Sequence, residues 1–484
     1  GKDLRKKNLK GLLAACLSFS MVVTSFSVGG IGTKTAEAAE DDKTVFTEVL
    51  TPDQITLREK LPEKASNITE GESREVTIQG TGTKMTVKDN GTVRKELSSK
   101  WLAENEMGAG VNLGNTMEAV IPVDQKKDAT PTDGETMWKQ PVTTQEYFDA
   151  LHSYGINTVR IPVAWSNADI DDGTYTLREE FLGRIEEIVN YALNEGMYVI
   201  VNDHWDNQWW GQFGACKKDA DGNKVADEET RAAAWTRYES YWTQISERFK
   251  DYSDHLIFEG ANEELGTRLN DAICLNGPAK GYAKPDNSGK DIVTLGGNLK
   301  TDELYEMTNK INQKFVEIVR NSSDKLFCEN NKYRQLLIAG FATDLDKTCD
   351  ERFKMPTDTV AENGQTKLSV SIHYYSPYGW GILEDKTNAD YQGSWGSQED
   401  YDYLHSQFDK LKKFSDNGYG IIIGEYGFGN TDKKGIPAYV KEVMTYGKKI
   451  GATPVLWNNS VFDRYDGVIC FKDFAQMLEE VTGA

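Results

Sequence analysis

Histidine, cysteine and positive charge are all scarce in this sequence of 484 residues. Lys and Arg number 55 against 76 Asp and Glu, which leaves a formal net charge of −21. Binding to phosphate groups needs clustered Lys and Arg, so the acidic balance argues against nucleic acid as a partner. With only five His and no Cys-x-x-Cys spacing, the chain offers few ligands for a transition metal. We therefore predict neither a metal ion nor a cofactor.

The cysteines do not form an evident framework. Cys16 lies in the N-terminal segment, and an odd number follows it: Cys216, Cys274, Cys328, Cys349 and Cys470. At least one thiol must stay free, while one or two disulfides and a set of free buried thiols both remain open.

Long apolar runs are absent except at the N-terminus. A basic start is followed by Gly11 to Gly32, which carry no charge, and then by Ala36-Glu37-Ala38, a small-x-small cleavage site. This order predicts a secretory signal peptide over residues 1–38, cleaved near Ala38 or Ala39. A transmembrane anchor is one alternative, although Ser, Thr and Gly dilute the run. A lipoprotein signal ending at Cys16 is another, but its apolar stretch is too short.

No second apolar span long enough to cross a membrane follows the signal peptide. We therefore expect a mature bacterial protein that is secreted, extracellular, monomeric and without membrane contact. Residues 40–100 are polar and are interpreted as an N-terminal extension packed on the main domain, residues 101–484. Alternating apolar residues between Ser73 and Lys88, followed by the turn Asp89-Asn90-Gly91, predict one or two hairpins there.

From Leu102 onward, short apolar runs alternate with segments of helical period. Thr143 and Glu146 form a predicted capping box at the start of one such helix. The runs are continuously apolar, as strands buried on both faces should be. Eight β-α units of this kind predict an α/β fold, a (β/α)8 TIM barrel with a short N-terminal extension. An open doubly wound sheet is the alternative, but no glycine-rich phosphate loop follows the first strand. The predicted strands are Ala109–Leu113, Thr158–Pro162, Tyr198–Asn202, Leu256–Ala261, Gln335–Ala339, Leu368–His373, Gly420–Gly424 and Pro454–Trp457.

Polar or aromatic side chains close most of these strands, where a barrel places its active site. Two of them are carboxylic acids, Glu263 and Glu425. Paired carboxyl groups are what glycoside hydrolysis needs, because one protonates the leaving oxygen and the other meets the developing positive charge. The remaining candidates for binding substrate are Asn112, Arg160, His204, Trp205, Asn262, His373, Tyr375 and Trp457.

Several of these candidates have side chains that suit a specific role in such a site. Arg160 could keep a neighbouring carboxylate ionised, and Asn262 could hold a sugar hydroxyl. Tyr375 could donate to the nucleophile, and Trp457 could form the floor under the reacting sugar. More aromatic rings on the loops could stack on β-linked sugars, although about half should only pack: Trp205, Trp209, Trp210, Tyr374, Trp380 and Trp395.

These residues stand in motifs that resemble glycoside hydrolase family 5, whose members are retaining (β/α)8 enzymes. The strongest are the Asn262-Glu263 pair after the fourth strand and Gly424-Glu425 after the seventh. The others are Gly110–Asn115, Arg160–Pro162, Asn202–His204, Phe258–Ala261, His373–Tyr375 and Leu456–Trp457, in the family's order over residues 101–475.

The resemblance implies Glu263 as general acid/base and Glu425 as nucleophile, with the remaining candidates positioning substrate or nucleophile. Cleavage with retention requires the two carboxyl groups to lie about 5–5.5 Å apart, and a general acid suggests a high pKa for Glu263. Many relatives carry a second His where this chain has Trp205, which leaves subsite preference open. The role of the insertion 264–300 is also open.

The resemblance also implies a secreted endo-β-1,4-glucanase, a cellulase acting on cellulose, mixed-linkage glucan or xyloglucan. Gly134–Pro141 points to this branch. An endo-β-mannanase or xylanase of the same family is the alternative. A metal-dependent barrel hydrolase would need His-x-His after the first strand. A non-catalytic carbohydrate-binding protein would lack one of the two carboxylates.

Overall fold

The computed structural model describes residues 73–271, 295–360 and 366–483. The predicted signal peptide, residues 40–72, Cys274 and most of the insertion 264–300 lie outside the described residues.

A closed barrel forms the centre of the molecule. Eight parallel strands pair in the order β10-β11-β12-β3-β4-β5-β8-β9 and close between β9 and β10. This confirms the (β/α)8 fold and excludes the open sheet. The strands of the described residues are β1 Arg74–Thr77, β2 Lys84–Val87, β3 Ala109–Asn112, β4 Ile156–Ile161, β5 Tyr198–Asn202, β6 Cys216–Lys218, β7 Lys224–Ala226, β8 Leu256–Glu259, β9 Leu336–Asp344, β10 Leu368–Tyr374, β11 Gly420–Tyr426 and β12 Ala452–Trp457.

The barrel strands are buried on both faces, which explains their continuously apolar sequences. Predicted and observed strands agree within two residues except at β9. That strand was expected to end at Ala339 but continues to Asp344. Ala342 and Thr343 adopt positive φ angles of 51° and 49°, and the register with β10 shifts there. The chain therefore bulges and resumes pairing, which the sequence pattern did not reveal.

Helices surround the barrel, and the first of them closes its N-terminal end. Leu102 and Ala103 of this helix pack against an interior cluster that includes Ile200, Leu337 and Val455. The α-helices of the described residues are α1 Ser99–Asn105, α2 Val123–Lys126, α3 Pro131–Glu135, α4 Gln145–Ser153, α5 Glu179–Leu193, α6 Glu228–Arg248, α7 Thr301–Leu326, α8 Asn330–Tyr333, α9 Leu345–Thr348, α10 Tyr378–Gly381, α11 Gln398–Lys410, α12 Lys412–Asp416, α13 Ile436–Lys449 and α14 Lys472–Thr482. Short 3-10 helices span Trp165–Ala168, Asp206–Gly214 and Thr267–Asn270.

The capping box predicted for α4 is wrong, although the helix is present. Thr144 is the N-cap and makes no side-chain capping bond. The hydroxyl of Thr143 instead accepts a hydrogen bond from Arg464 Nη2 at 3.3 Å. The Thr143 side chain, which the sequence pattern predicted as part of the cap, therefore binds Arg464 of a distant loop instead.

The described part of the N-terminal extension is one hairpin that lies against the barrel. Strands β1 and β2 pair antiparallel, with Arg74 opposite Val87. Thr83 donates to Glu187 of α5 at 2.7 Å, and Asp89 accepts from the Ser253 hydroxyl at 2.6 Å. These contacts hold the hairpin and the turn after it against α5 and the Ser253 loop.

The described cysteines are all free thiols: Cys216, Cys328, Cys349 and Cys470. Within the described ranges, no helix is both long and apolar enough to span a bilayer.

Candidate active site

Arg160 is the centre of the polar network at the carboxyl ends of the strands. It projects from β4 and is fully buried. Its Nε donates to Glu259 at 2.8 Å, and Nη2 donates to Asn262 at 2.8 Å. Its Nη1 donates to Asn112 at 3.0 Å and to Glu425 at 2.9 Å. One guanidinium therefore ties together the ends of β3, β4, β8 and β11.

Glu425 lies on β11 and receives a second donor from the neighbouring strand. The hydroxyl of Tyr375 donates to Glu425 Oε1 at 2.7 Å, while Arg160 occupies Oε2. Burial, reinforced by the charge of Glu425, raises the pKa of Tyr375 well above its usual value, so the phenol keeps its proton. Glu425 thus faces a permanent cation and a hydroxyl donor.

Glu263 forms a different pair, with His373 of β10. His373 Nδ1 lies 2.8 Å from Glu263 Oε1 and 3.5 Å from Glu425 Oε2. Burial opposes charge on both partners, but the hydrogen bond from His373 lowers the pKa of Glu263. Against the same burial, the charge of Glu425 and the bond to Glu263 raise the pKa of His373. The expected high pKa for Glu263 is therefore wrong, because His373 competes for the proton.

The two glutamates lie close together across the site. A carboxylate oxygen of Glu263, a ring nitrogen of His373 and a carboxylate oxygen of Glu425 all lie within 4.8 Å of one another. Retaining hydrolysis places its carboxyl groups about 5–5.5 Å apart, whereas inversion needs roughly 6.5–9.5 Å. Oxygens of Glu263 and Glu425 that lie within 4.8 Å of each other are compatible with the shorter class.

His204 follows β5 and has a defined protonation state. Burial, and then the charge of Arg160, hold its pKa well below its usual value, so the ring is neutral. Asn202 Oδ1 accepts from the Val163 N–H, which turns its amide nitrogen towards His204 Nδ1 at 3.0 Å. A neutral imidazole has one acceptor nitrogen, so His204 can accept from only one of the two amide groups that it faces, those of Asn202 and Asn262. Nε2 lies 3.4 Å from the amide nitrogen of Asn262.

Trp457 ends β12 and is only partly buried. Its ring is nearly parallel to that of His204, with centroids 6.3 Å apart. A Cβ atom added to Gly114 would lie 2.6 Å from the six-membered part of the indole, so the backbone there contacts the ring directly. Trp205, also partly buried, directly follows His204 at the start of a 3-10 helix.

Most of the loop aromatics are not available to a sugar. Trp209, Trp210, Tyr374, Trp380 and Trp395 are each at most 3% exposed and belong to the main hydrophobic core. Trp209 and Trp210 stack on each other with ring centroids 4.4 Å apart. The expectation that about half of these rings line the cleft is therefore wrong, because the long loops bury them against one another.

Two acidic residues of the site were missed by sequence reasoning. Glu259 is fully buried and pairs with Arg160 at 2.8 Å. Its signal was a charge inside an apolar strand, since a buried charge needs a partner. Glu118 follows β3 and accepts the backbone N–H groups of Asn115 and Thr116. Burial, reinforced by the charge of Glu425, raises the pKa of Glu118 to about 7.

Known proteins are similar to this chain in sequence and in fold. Residues 123–463 match the family described as cellulase (glycosyl hydrolase family 5). Endoglucanase A of Paenibacillus barcinonensis is 31% identical over 76% of this chain and 84% of its own length. A xyloglucan-specific endo-β-1,4-glucanase of Bacteroides ovatus is 30% identical over 79% of this chain and 70% of its own.

Solved structures agree with these relatives. A GH5-4 broad specificity endoglucanase from Ruminococcus champanellensis with bound cellotriose has a TM-score of 0.62 at 27% identity, over 80% of this chain and 99% of that one. The Bacteroides ovatus GH5 xyloglucanase in complex with a XXXG heptasaccharide has a TM-score of 0.63 at 27% identity, over 82% and 79%. With a family match that spans most of the barrel and relatives at this level of identity, the chain belongs to glycoside hydrolase family 5 and is a glycoside hydrolase.

Proposed function

We propose that this protein is an endo-β-1,4-glucanase that cleaves with retention of configuration, by double displacement. The observation that carries the proposal is the close approach of Glu263 and Glu425, with one oxygen of each within 4.8 Å. That spacing suits attack by one carboxylate while the other delivers a proton, and it favours the short carboxyl separation of a retaining reaction over the longer one of inversion.

In this proposal Glu425 is the nucleophile. Its carboxylate attacks the anomeric carbon as the bond to the leaving oxygen breaks, and a glycosyl-enzyme ester forms. Arg160 and Tyr375, which donate to the two oxygens of Glu425 at 2.9 and 2.7 Å, orient the carboxylate for attack. Asn262 is held by Arg160 at 2.8 Å and is placed to bind a hydroxyl of the reacting sugar.

Glu263 and His373 together supply the proton. Without substrate the proton resides on His373, since their hydrogen bond lowers the pKa of Glu263 and raises that of His373. His373 passes this proton to Glu263 across the 2.8 Å contact, and Glu263 gives it to the leaving oxygen as the glycosidic bond breaks. In the second step, water attacks the anomeric carbon and gives a proton to the pair while the bond between that carbon and Glu425 breaks, which frees the carboxylate of Glu425.

The proposed substrate is a β-1,4-linked glucan such as cellulose, mixed-linkage glucan or xyloglucan. The support comes from relatives named as endoglucanases and as a xyloglucan-specific endo-β-1,4-glucanase. In this proposal the ring of Trp457, half-buried at the end of β12, carries the reacting sugar. Activity on mannan or xylan is the alternative, since the strand-end residues do not separate these sugars.

We also propose that the protein is exported. A signal peptide over residues 1–38 would be removed, leaving the extension 40–100 and the catalytic domain 101–484 as a monomer outside a bacterial cell. The support is the basic, apolar and small-residue order of the first 38 residues.

The test of the proposed function is sugar release from a panel of polysaccharides. Residues 40–484 are incubated with carboxymethyl cellulose, barley mixed-linkage glucan, xyloglucan, xylan and galactomannan, with Glu425→Gln as control. We expect activity on the glucans and a loss of at least about 10³-fold in the control. Proton NMR of the first product formed should show the β-anomer. Activity confined to xylan or mannan would overturn the substrate, and an initial α-anomer would overturn retention.

A further inference from the structure

Glu118 has an unusual position for a buried acid beside an active site. Its side chain is about 2% exposed and lies on the turn that follows β3. Its two carboxylate oxygens accept the backbone N–H groups of Asn115 and Thr116, the latter at 3.1 Å. Asn115 adopts a positive φ of 57°. This conformation turns two successive N–H groups towards the same carboxylate.

The turn that Glu118 holds is fixed at two further points. The hydroxyl of Thr116 donates to the carbonyl oxygen of Gly114 at 2.9 Å. The same hydroxyl accepts a hydrogen bond from Nη2 of buried Arg464 at 3.1 Å. Arg464 belongs to the loop after β12, so the turn connects the first and the last strand of the barrel.

The inner side of this turn touches Trp457. A Cβ atom on Gly114 would lie 2.6, 2.8 and 2.9 Å from three atoms of the indole. On another side Gly427 faces the Cβ of Trp457, at 3.6 Å from where its own Cβ would stand. The Gly114 backbone therefore lies directly against the indole, and Glu118 binds the next two N–H groups of the same turn.

We propose that Glu118 is a positioning residue for Trp457. By holding the Gly114–Thr116 turn against the indole, it sets the plane of the ring that carries the sugar attacked by Glu425. This inference rests on the proposed function, because it deepens the part given there to Trp457. Glu118 itself does not touch substrate in this scheme and acts only through the turn.

A double-mutant cycle tests whether Glu118 acts through Trp457. Glu118→Gln keeps the shape of the side chain but turns an amide donor towards a backbone N–H. We expect it to lower kcat/KM on mixed-linkage glucan about tenfold in the wild-type background, but less than roughly twofold in a Trp457→Ala background. A role in folding alone would lower kcat/KM by the same factor in both backgrounds, and that result would overturn the inference.

Matched variants keep the result interpretable. Asp89 is another buried carboxylate that accepts backbone N–H groups, from Gly91 and Ser253 at 2.8 and 3.1 Å, in the N-terminal extension. Asp89→Asn should reduce stability and leave kcat/KM unchanged; an equal loss there would contradict the inference. If Glu118→Gln does not fold, the same cycle with Glu118→Asp, which keeps the carboxyl group, has the same two outcomes. A wild type inactive on every glucan would instead refute the proposed function.

Discussion

At the scale of single residues, the site is built from carboxyl groups whose surroundings differ. Glu259 and Glu425 share the buried guanidinium of Arg160. Glu264 follows Glu263 directly and is more deeply buried, and it lies 3.2 Å from Arg268. Burial raises the pKa of Glu264 from 4.5 to about 7. Neighbouring acids in one loop can therefore differ widely in charge at neutral pH.

Glu264 should make stability depend on pH. Its pKa in the folded protein, about 7, lies above the 4.5 of an unperturbed Glu. Its stabilising contribution is therefore complete below about pH 4.5 and is lost as the pH rises through about 7. Glu264→Gln cannot ionise. The free energy of unfolding of this variant, minus that of the wild type, should therefore increase by about 3 kcal/mol between about pH 4.5 and about pH 8. Urea unfolding at several pH values measures this gain, and a difference that stays constant with pH would contradict it.

At the scale of elements, loops pack on loops above the barrel. Lys433, in the loop after β11, is buried, and its Nζ donates to the carbonyl oxygens of Gly379 and Gln392 at 2.8 and 2.9 Å. Burial lowers its pKa to about 7. The loops after β10 and β11 are thereby joined, and Trp380 and Trp395 are enclosed with them. This packing explains why these aromatics belong to the core.

The segment Gly134–Pro141, which resembles the glucan-cleaving branch, is also held by buried contacts. Glu135 in this segment is fully buried and pairs with Arg184 of α5 at 2.7 Å. Its second oxygen accepts the Thr143 N–H at 3.2 Å. The acidic residue of the motif therefore fixes the route of the chain between α3 and α4.

The contact between the N-terminal hairpin and α5 can be tested with two glycines. Gly183 lies within α5, and a Cβ there would stand 2.6 Å from the carbonyl oxygen of Gln79. Gly447 lies within α13, and the nearest atom to its Cβ would be 3.7 Å away. Gly447→Ala should raise the free energy of unfolding by about 0.5–1 kcal/mol through helix propensity. Gly183→Ala should lower it by about 1–3 kcal/mol, because the hairpin must move.

Differential scanning calorimetry of the two variants provides the comparison. Since both substitutions gain the same helix propensity, the difference between them isolates the clash with the hairpin. If both variants shift the melting temperature in the same direction by the same amount, the hairpin does not press on α5 as the structure describes.

At the scale of the whole molecule, negative charge dominates. The chain carries 76 acidic and 55 basic residues, and surface pairs such as Lys95–Glu329 at 2.8 Å are half or more exposed. Exposed pairs of this kind stabilise little. Repulsion among the excess carboxylates should therefore outweigh them at neutral pH.

Salt should accordingly stabilise the protein. Raising NaCl from about 10 mM to about 150 mM shortens the screening length from about 30 Å to about 8 Å. We expect the melting temperature at pH 7 to rise by roughly 1–3 °C. Near pH 4.8, where the net charge approaches zero, the effect should vanish. A fall in melting temperature with salt at pH 7 would mean that ion pairs outweigh repulsion.

The order of elements was predictable because it follows from local pattern. Buried parallel strands must be apolar along their whole length, so runs such as Tyr198–Asn202 were located to the residue. The polar residues that end these runs must meet at one end of a closed barrel, which is why Glu263, His373 and Glu425 could be grouped before any distance was known. The predictions for the end of β9 and for the cap of α4 were wrong. Pairing with the neighbouring strand β10 decided the first, and the hydrogen bond from Arg464 to Thr143 decided the second.

The sequence alone determined the barrel, the two glutamates and the family resemblance, because each depends on residue type and spacing along the chain. Tertiary structure alone decided which of these groups hold protons and which rings face the cleft. The proton between Glu263 and His373 depends on a 2.8 Å contact between residues 110 positions apart. The burial of Trp209 or Trp395 depends on how separate loops pack. Charge and exposure are properties of surroundings in space, and those surroundings form only when the chain has folded.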